Sequence, residues 1–277
     1  MLSEKPPLLQ VQGLTKRFDV PGRAARVAVD ALDFSLRAGE ALGLVGESGS
    51  GKSTTAALVA RLADADAGRI LLRGTDIAAV PARSAARAPW RGEIQMVFQD
   101  PLDSLDPRAT AREAIADPLR RLRGLRGAAL AAAVRDAADR SQIASTLLDR
   151  RPHELSGGQA ARVGIARAIA PAPALLILDE PTSALDVSVQ VGVLQLLEQL
   201  RRDSGMAYLF ISHDLQVVRL LCERVLVMHE AHIVEQGPTE QVLARPAHPY
   251  TAALAAALPK LPLLPEHAPA HRVSAVP

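Results

Sequence analysis

The segment best suited to chemistry is a glycine-rich loop that follows a short apolar run. Two glycines frame four residues, and Lys-Ser follows directly: Gly46, Glu47, Ser48, Gly49, Ser50, Gly51, Lys52 and Ser53. Glycines allow consecutive backbone N–H groups to point at phosphate oxygens, and the N-terminus of a following helix favours an anion there. Lys52 can then contact the outer phosphates of a nucleotide, and the Ser53 hydroxyl can be a ligand of Mg²⁺.

The alternative for this loop is a Gly/Ser-rich surface turn in front of a helix. The distribution of lysine argues against that alternative. The chain has 28 Arg and 4 Lys, and between Lys16 and Lys260 the only lysine is Lys52. A compact ammonium fits a phosphate cradle better than a broad guanidinium does. We therefore predict that the loop, together with the adjacent Thr54, binds ATP with Mg²⁺.

A second candidate element is an apolar run that ends in two carboxylates. Four aliphatic residues, 175–178, precede Asp179 and Glu180. In a parallel sheet the carboxyl end of such a strand lies beside the phosphate loop, where Asp179 can hold the Mg²⁺ shell. Glu180 is then placed to orient or deprotonate an attacking water. The alternative is an acidic pair that merely caps a strand, and the preceding phosphate loop favours the functional interpretation.

The elements that must position these residues are predicted from short apolar runs. Residues 8–11 and 31–36 alternate as strands of an N-terminal antiparallel sheet, with a polar connection at 21–26. The run at 41–45 indicates a buried parallel strand, and 52–62 indicates a helix. Further strands are predicted at 69–72, 94–98, 174–178, 208–211 and 224–228. Since helical stretches separate several strands, the predicted fold class is α/β with a largely parallel sheet.

The region at about 100–157 differs, because it is rich in Ala, Arg and Leu and shows no obvious strand. Helices are predicted there at 111–122 and 127–141. We interpret the region as a helical insertion within one nucleotide-binding domain at 8–259. Residues 260–277 contain several prolines and little apolar periodicity, so we predict a loosely ordered C-terminal tail.

Composition argues against several classes of protein. A net charge of +2 is too small to indicate nucleic acid as a partner. Cys222 is the only cysteine, so the chain forms neither an intrachain disulfide nor a cysteine-built cluster. The N-terminus lacks the layout of a signal peptide, and no apolar run approaches the roughly 18–20 residues that span a bilayer. If the protein serves a membrane, we expect it to act from the cytosolic side through partners.

A five-residue motif between the two elements decides the family. Leu155-Ser156-Gly157-Gly158-Gln159 resembles the signature of the ATP-binding cassette (ABC) ATPases, and the resemblance covers nearly the whole chain. It implies a P-loop NTPase core, an N-terminal antiparallel β-subdomain and a helical insertion subdomain. Ser156 and the glycines open a helix, which creates a second anion site. The resemblance implies that this site closes on a γ-phosphate held by a partner subunit, so that ATP lies between two cassettes.

The resemblance also implies roles for residues outside these motifs. Gln99 matches the glutamine that contacts Mg²⁺ and the attacking water, and His213 matches the switch histidine that positions Glu180. Residues 183–186 match the loop that crosses the dimer interface, and Phe18 holds the position of the aromatic residue that stacks on adenine. The implied catalytic residues are Glu180, His213 and Gln99, and the implied metal ligands are Ser53, Gln99 and Asp179.

Several stretches resemble the ATPases of oligopeptide, dipeptide and nickel importers: 99–101, 105–108, 151–154, 184–190 and 248–251. That branch implies a second cassette (a copy or a different chain), two transmembrane permeases and, indirectly, an extracytoplasmic binding protein. It implies a peripheral location at the cytoplasmic face of the inner membrane. The substrate stays open between a peptide, nickel and a metal chelate. Many members hold an iron–sulfur cluster in a cysteine-rich tail, which this chain cannot do.

Two other functions compete with a transport ATPase. A soluble cassette ATPase of DNA repair or translation usually has two cassettes or a long coiled coil, whereas this chain has one cassette and no heptad run. A phosphotransferase built on the same loop is opposed by the signature motif. We therefore expect an ATPase that energises an importer.

Overall fold

The protein was analysed as a computed structural model, which describes residues 6–19, 22 and 25–257. The predicted tail at 260–277 and the last two residues of the predicted domain at 8–259 lie outside this range. The strands are β1 (Leu9–Phe18), β2 (Arg26–Leu36), β3 (Ala41–Val45), β4 (Ala67–Leu72), β5 (Thr75–Asp76), β6 (Ile94–Val97), β7 (Leu175–Asp179), β8 (Ala207–Ser212), β9 (Arg224–His229) and β10 (His232–Pro238). The helices are α1 (Lys52–Val59), α2 (Ala82–Ala85), α3 (Ala111–Leu122), α4 (Gly127–Arg140), α5 (Gly157–Ile169), α6 (Val187–Ser204), α7 (Leu215–Leu221), α8 (Thr239–Ala244) and α9 (Pro249–Ala256).

A six-stranded sheet forms the centre of the molecule, in the order β10-β9-β3-β8-β7-β6. The strands from β9 to β6 pair in parallel, while the edge strand β10 is antiparallel to β9. Every residue of β3, β7 and β8 is buried. Strands that are buried on both faces need helices or a second sheet on both sides. The predicted α/β fold with a largely parallel sheet is confirmed.

Alternate residues of the central strands belong to two different apolar clusters. Leu209 and Ile211 of β8 pack with α1 and the N-terminal strands, whereas Tyr208 and Phe210 pack with α5, α6 and α7. This alternation follows from the two-residue period of a strand, which sends successive side chains to opposite faces. The sheet is therefore fixed between two layers, and its edge cannot shift independently of them.

A second sheet, in the order β2-β1-β4-β5, forms the N-terminal subdomain, and its pairs are antiparallel. The prediction was right about the sheet but wrong about the strand bounds, because it ended β1 at residue 11 and began β2 at residue 31. The pairing register shifts between Val11 and Leu14, around Gly13 with a φ of 56°. This irregularity interrupts the alternation by which a strand is recognised in sequence.

Helices α3, α4 and α5 surround an apolar cluster of their own. A capping box starts α3: Thr110 Oγ1 accepts the Glu113 N–H, and the Glu113 carboxylate accepts the Thr110 N–H. The predicted helix at 111–122 is confirmed, and the one predicted at 127–141 ends one residue earlier, at Arg140. Within the described residues no strand lies between β6 and β7, as predicted for a helical insertion.

The β9–β10 hairpin turns through two residues with left-handed backbone. The φ angles of Glu230 and Ala231 are 44° and 71°, a region that glycine and asparagine occupy more readily than other residues. The Ala231 N–H donates to the Ser50 carbonyl at 3.1 Å, and the Ala231 carbonyl accepts the Asp30 N–H at 2.9 Å. These bonds hold a strained turn against the phosphate loop.

Replacing the exposed Glu230 with glycine is expected to raise the free energy of unfolding by about 0.5–1 kcal/mol, because glycine adopts this φ without steric cost. Urea unfolding of the purified chain measures the change. The control is Ala132→Gly at an exposed position within α4, where glycine should lower the free energy of unfolding by a similar amount. Shifts in the same direction for both variants would contradict the strain argument.

Candidate active site

The phosphate loop connects the end of β3 to α1, and its outer glycines lie against main-chain carbonyls. A Cβ atom on Gly46 would lie 2.1 Å from the Met228 carbonyl oxygen, and one on Gly51 would lie 2.1 Å from the Ala28 carbonyl oxygen. Both glycines also have positive φ angles, 151° and 110°. The chain path therefore requires glycine at both positions, independently of any ligand.

Lys52 is buried at the start of α1. Its ammonium donates to the carbonyls of Gly46 and Glu47, at 2.7 Å in each case. Burial lowers the pKa of Lys52, while the carboxylates of Glu180 and Asp179 act in the opposite direction. A desolvated ammonium favours a nearby anion, so this position is suited to a polyphosphate chain.

Ser53 and Asp179 bring two oxygen atoms together beside the loop. The Ser53 hydroxyl donates to Asp179 Oδ1 at 3.2 Å. Asp179 is the last residue of β7 and is buried, and this burial raises the pKa of its carboxyl, with the Ser53 hydrogen bond acting against the rise. Hard oxygen ligands of this kind suit Mg²⁺, and a bound cation would offset the cost of burying the carboxylate. The residues present therefore fit a magnesium ion.

Glu180 is the point where the predicted catalytic residues meet. Gln99 Nε2 donates to Glu180 Oε2 at 3.3 Å, and His213 Nδ1 lies 3.1 Å from the same oxygen. Glu180 has a φ of 45°, a strained angle for a residue with a side chain, and its N–H donates to the Ile211 carbonyl at 3.0 Å. The sheet hydrogen bond therefore holds Glu180 in a conformation that directs its carboxylate toward these two partners.

An open cavity of about 900 Å³ collects most of the predicted nucleotide-binding residues. Its lining comprises Phe18, Arg26, Ala28, Glu47, Ser48, Gly49, Gly51, Lys52, Ser53, Thr54, Gln99, Glu180 and His213. Gly46, Ser50 and Asp179 are not part of this lining. Phe18 is 46% exposed at one end of the cavity, with the Lys16 ammonium 5.5 Å from the centre of its ring.

Sequence reasoning missed Arg26 and Ala28 in this lining. Arg26 begins β2 and pairs with Phe18 of β1, so it reaches the cavity only through the antiparallel pairing. Its guanidinium lies close to Gly49, within 3.4 Å of where a Cβ atom would be. If β1 and β2 had been predicted at their full lengths, their antiparallel pairing would have placed Arg26 and Ala28 beside Phe18. The strand lengths were therefore the signal that could have revealed both residues.

The signature motif does not reach this cavity. Ser156 caps α5 by accepting the Gln159 N–H, and the Gln159 side chain accepts the Ser156 N–H in return. Ser156 and Gly157 are exposed, and Gly158 packs so closely on Val189 that a Cβ atom would lie 2.4 Å from Val189 Cγ1. The motif thus forms an exposed helix N-terminus, a geometry that favours an anion, and none of its residues lines the cavity of its own phosphate loop.

Comparison with known proteins assigns the family. Residues 29–183, more than half of the chain, match the ABC transporter family. The chain belongs to the ABC transporter family. Residues 234–272 of this ABC cassette match a second family, described as the oligopeptide/dipeptide transporter, C-terminal region.

Curated relatives of this cassette carry transport names. A protein of Sinorhizobium fredii named probable peptide ABC transporter ATP-binding protein y4tS is 45% identical over 258 residues, which are 91% of this chain and 72% of that protein. The glutathione import ATP-binding protein GsiA of Salmonella paratyphi A is 46% identical over 263 residues, 92% of this chain and 42% of that protein. The prediction that this chain is the ATP-binding subunit of an ABC transporter is confirmed.

Solved structures agree with this assignment. The ATP-binding cassette MJ0796, a dimer in a post-hydrolysis state bound to ADP and Pi, is 26% identical with a TM-score of 0.76 and covers 83% of this chain and 98% of its own. The cassette cbiO1 from Clostridium perfringens, part of the cbiONQ transporter complex, is 28% identical with a TM-score of 0.74 and covers 87% and 92%. This ABC cassette is an ATP-binding ATPase. In the part of the chain that the structure describes, no helix has the length and apolar character to cross a bilayer.

Alanine in place of Gly51 is expected to lower the free energy of unfolding by about 2–4 kcal/mol, because its Cβ atom would meet the Ala28 carbonyl. The control is Gly49→Ala in the same loop. Gly49 also has a positive φ, but its Cβ atom would meet only the flexible Arg26 side chain, so a loss of about 1 kcal/mol is expected. Equal losses of unfolding free energy in the two variants would show that contact with the Ala28 carbonyl is not the reason for glycine at position 51.

Proposed function

We propose that this ABC cassette hydrolyses ATP at the interface of two cassettes and thereby energises a membrane importer of the peptide type. The observation that carries the proposal is the contact of Gln99 and His213 with one oxygen of Glu180, at a cavity lined by the phosphate loop. A carboxylate held by two polar side chains beside a phosphate site is the arrangement that activation of water requires.

In the proposed reaction, the loop N–H groups and Lys52 bind the phosphates of ATP, and Phe18 stacks on the adenine. Ser53, Gln99 and Asp179 would hold Mg²⁺, which would neutralise negative charge on the phosphates. Glu180 accepts a proton from a water molecule while the water oxygen attacks the γ-phosphorus. The bond between the γ-phosphorus and the ADP oxygen breaks, and the products are ADP and inorganic phosphate. Gln99 and His213 keep the Glu180 carboxylate in position through the contacts described above.

The site needs a partner because the signature motif lies outside its own cavity. Ser156, Gly157, Gly158 and Gln159 of a second cassette would complete the γ-phosphate cage over this phosphate loop. Two features support this: the exposed, capped start of α5, and the dimeric state of the similar cassette MJ0796. The second cassette can be a copy of this chain or a different chain of the same kind.

A basic groove offers a surface for the membrane permeases. It encloses about 1,040 Å³ between the helical region and the core, and its arginines are Arg83, Arg87, Arg91, Arg120, Arg121, Arg126 and Arg167. Asp117 is the one acidic residue in this lining. Such a surface favours a partner segment with carboxylates. We therefore place two permeases on the grooves of a cassette pair, at the cytoplasmic face of the inner membrane.

The cargo proposed is a peptide. The relatives named above are a peptide transporter ATP-binding protein and a glutathione import ATP-binding protein, and the C-terminal match is to the oligopeptide/dipeptide family. In this scheme an extracytoplasmic binding protein delivers the cargo to the permeases and does not contact the cassette. The soluble mechanical ATPase is not favoured by these relatives.

The Glu180→Gln variant is expected to lose at least about 100-fold in turnover while its ATP dissociation constant stays within a few-fold, because the amide cannot accept the proton. Phosphate release and equilibrium ATP binding are measured with a cassette partner present. Asp139→Asn serves as the control: it makes the same change from carboxylate to amide at an exposed position of α4 outside the cavity, and it should retain most turnover. Hydrolysis by Glu180→Gln at the control's rate would show that the base is misassigned.

Reversing two exposed arginines of the groove, Arg83→Glu with Arg87→Glu, is expected to reduce co-purification with the permeases by at least about tenfold. The reason is repulsion between the new carboxylates and an acidic partner segment. Arg69→Glu with Arg135→Glu, at two exposed positions outside the groove, is the charge-matched control and should co-purify normally. Unimpaired transporter assembly in the double variant would place the permeases elsewhere.

A further inference from the structure

The C-terminal helix α9 makes a direct hydrogen bond to the phosphate loop. The N–H of Glu47 donates to the Tyr250 hydroxyl at 2.8 Å, across 203 residues of sequence. Tyr250 lies within the stretch that matches the oligopeptide/dipeptide C-terminal region, and it does not line the nucleotide cavity. Tyr250 therefore contacts the loop from outside the cavity lining.

Tyr250 is itself held firmly from two sides. Its ring stacks on His229, with ring centres 3.9 Å apart and planes 24° apart. His248 caps α9 by accepting the Tyr250 N–H at Nδ1, and the Glu235 carboxylate accepts the N–H groups of Ala247 and His248 at 2.9 and 3.0 Å. The hydroxyl thus projects from a side chain whose ring and backbone are both fixed, which keeps the entropy cost of the contact low.

In the phosphate loop, both backbone polar groups of Glu47 have hydrogen-bond partners. Its N–H donates to Tyr250, and its carbonyl accepts from the Lys52 ammonium, which also contacts the Gly46 carbonyl. The Met228 carbonyl, next to the stacked His229, packs against Gly46. If Lys52 turned from these carbonyls to a phosphate, two hydrogen bonds would still hold Glu47: its N–H to the Tyr250 hydroxyl, and its carbonyl to the Ser50 N–H at 3.3 Å. Of these two, only the Tyr250 bond comes from outside the loop. The orientation of Glu47 fixes the direction of the N–H groups that follow it.

We infer that Tyr250 is a positioning residue of the nucleotide site: by accepting the Glu47 N–H, its hydroxyl holds the phosphate loop ready for ATP. The inference rests on the proposed function, in which this loop binds the phosphates. It gives the C-terminal region of this cassette a role in ATP affinity that follows from contacts behind the loop. Preorganisation of a loop raises affinity because less ordering remains to be done when the ligand binds.

The test compares the two tyrosines of the chain, each replaced by phenylalanine in the full-length protein. Tyr250→Phe keeps the ring stack and removes only the hydroxyl. It is expected to raise the ATP dissociation constant and KM about three- to tenfold and to leave kcat within about twofold. Amide hydrogen exchange in peptides covering residues 46–52 should become faster, since the Glu47 N–H loses its acceptor.

Tyr208→Phe is the matched control. The Tyr208 hydroxyl donates to the Leu197 carbonyl at 2.8 Å inside the core, so its loss should lower the unfolding temperature without changing ATP affinity or exchange in the loop. Unchanged loop exchange in Tyr250→Phe would overturn the inference, and so would faster exchange with unchanged ATP affinity. If Tyr250→Phe and Tyr208→Phe lost ATP affinity equally, general destabilisation would explain the loss, and the inference would again be overturned.

Lys52→Ala separates this inference from the proposed function. If Lys52→Ala loses ATP binding and Tyr250→Phe binds like the unmodified protein, the positioning role alone fails. If Lys52→Ala still binds ATP as tightly as the unmodified protein, the phosphate-loop assignment itself fails. Tyr250→Leu, which removes the stack together with the hydroxyl, should show at least the loss seen with phenylalanine, and normal affinity in that variant would also overturn the inference.

Discussion

The parallel pairing of β3, β8 and β7 is the constraint on which the site depends. In this register Val45 lies opposite Ser212, and Asp179 lies opposite Ile211. The residues that follow the three strand ends are Gly46, His213 and Glu180. A two-residue slip in either pairing would move one of them by about 7 Å, beyond the reach of a hydrogen bond. Burial of the central strands on both faces makes such a slip costly, because the displaced side chains would lose the close-packed neighbours they have in the two clusters.

The constraint continues past the ends of the strands. The Glu180 N–H still donates to Ile211 after β7 has ended, although this requires a left-handed φ. A residue in that conformation costs free energy and persists only where its surroundings fix it. Here the surroundings are the sheet itself on one side and the contacts with Gln99 and His213 on the other. The backbone strain therefore lies at Glu180, whose carboxylate must point toward Gln99 and His213.

The parts of the site that could be predicted are those whose chemistry is contiguous in sequence. The phosphate loop, the Asp179–Glu180 pair and the signature are short, and each follows or opens a regular element, so spacing alone indicates their place. Arg26 and the hydroxyl of Tyr250 could not be found in this way. Arg26 reaches the cavity through a strand pairing that a register shift hid, and Tyr250 reaches Glu47 through a tertiary contact between distant segments. The fold class and family were predictable because they depend on periodicity and motif order, whereas these two contacts depend on packing.

The same packing connects the cavity to the signature helix. Gln99 contacts Glu180 in the cavity, and the chain then runs to Ser104, whose carbonyl accepts from the Arg167 guanidinium of α5 at 2.6 Å. Burial lowers the pKa of Arg167, and the Asp117 carboxylate acts in the opposite direction. Helix α5 packs one face into the core cluster and another into the helical cluster. In the proposed mechanism, a displacement of Gln99 would reach α5 through the Ser104–Arg167 contact, and Arg167 also lines the basic groove.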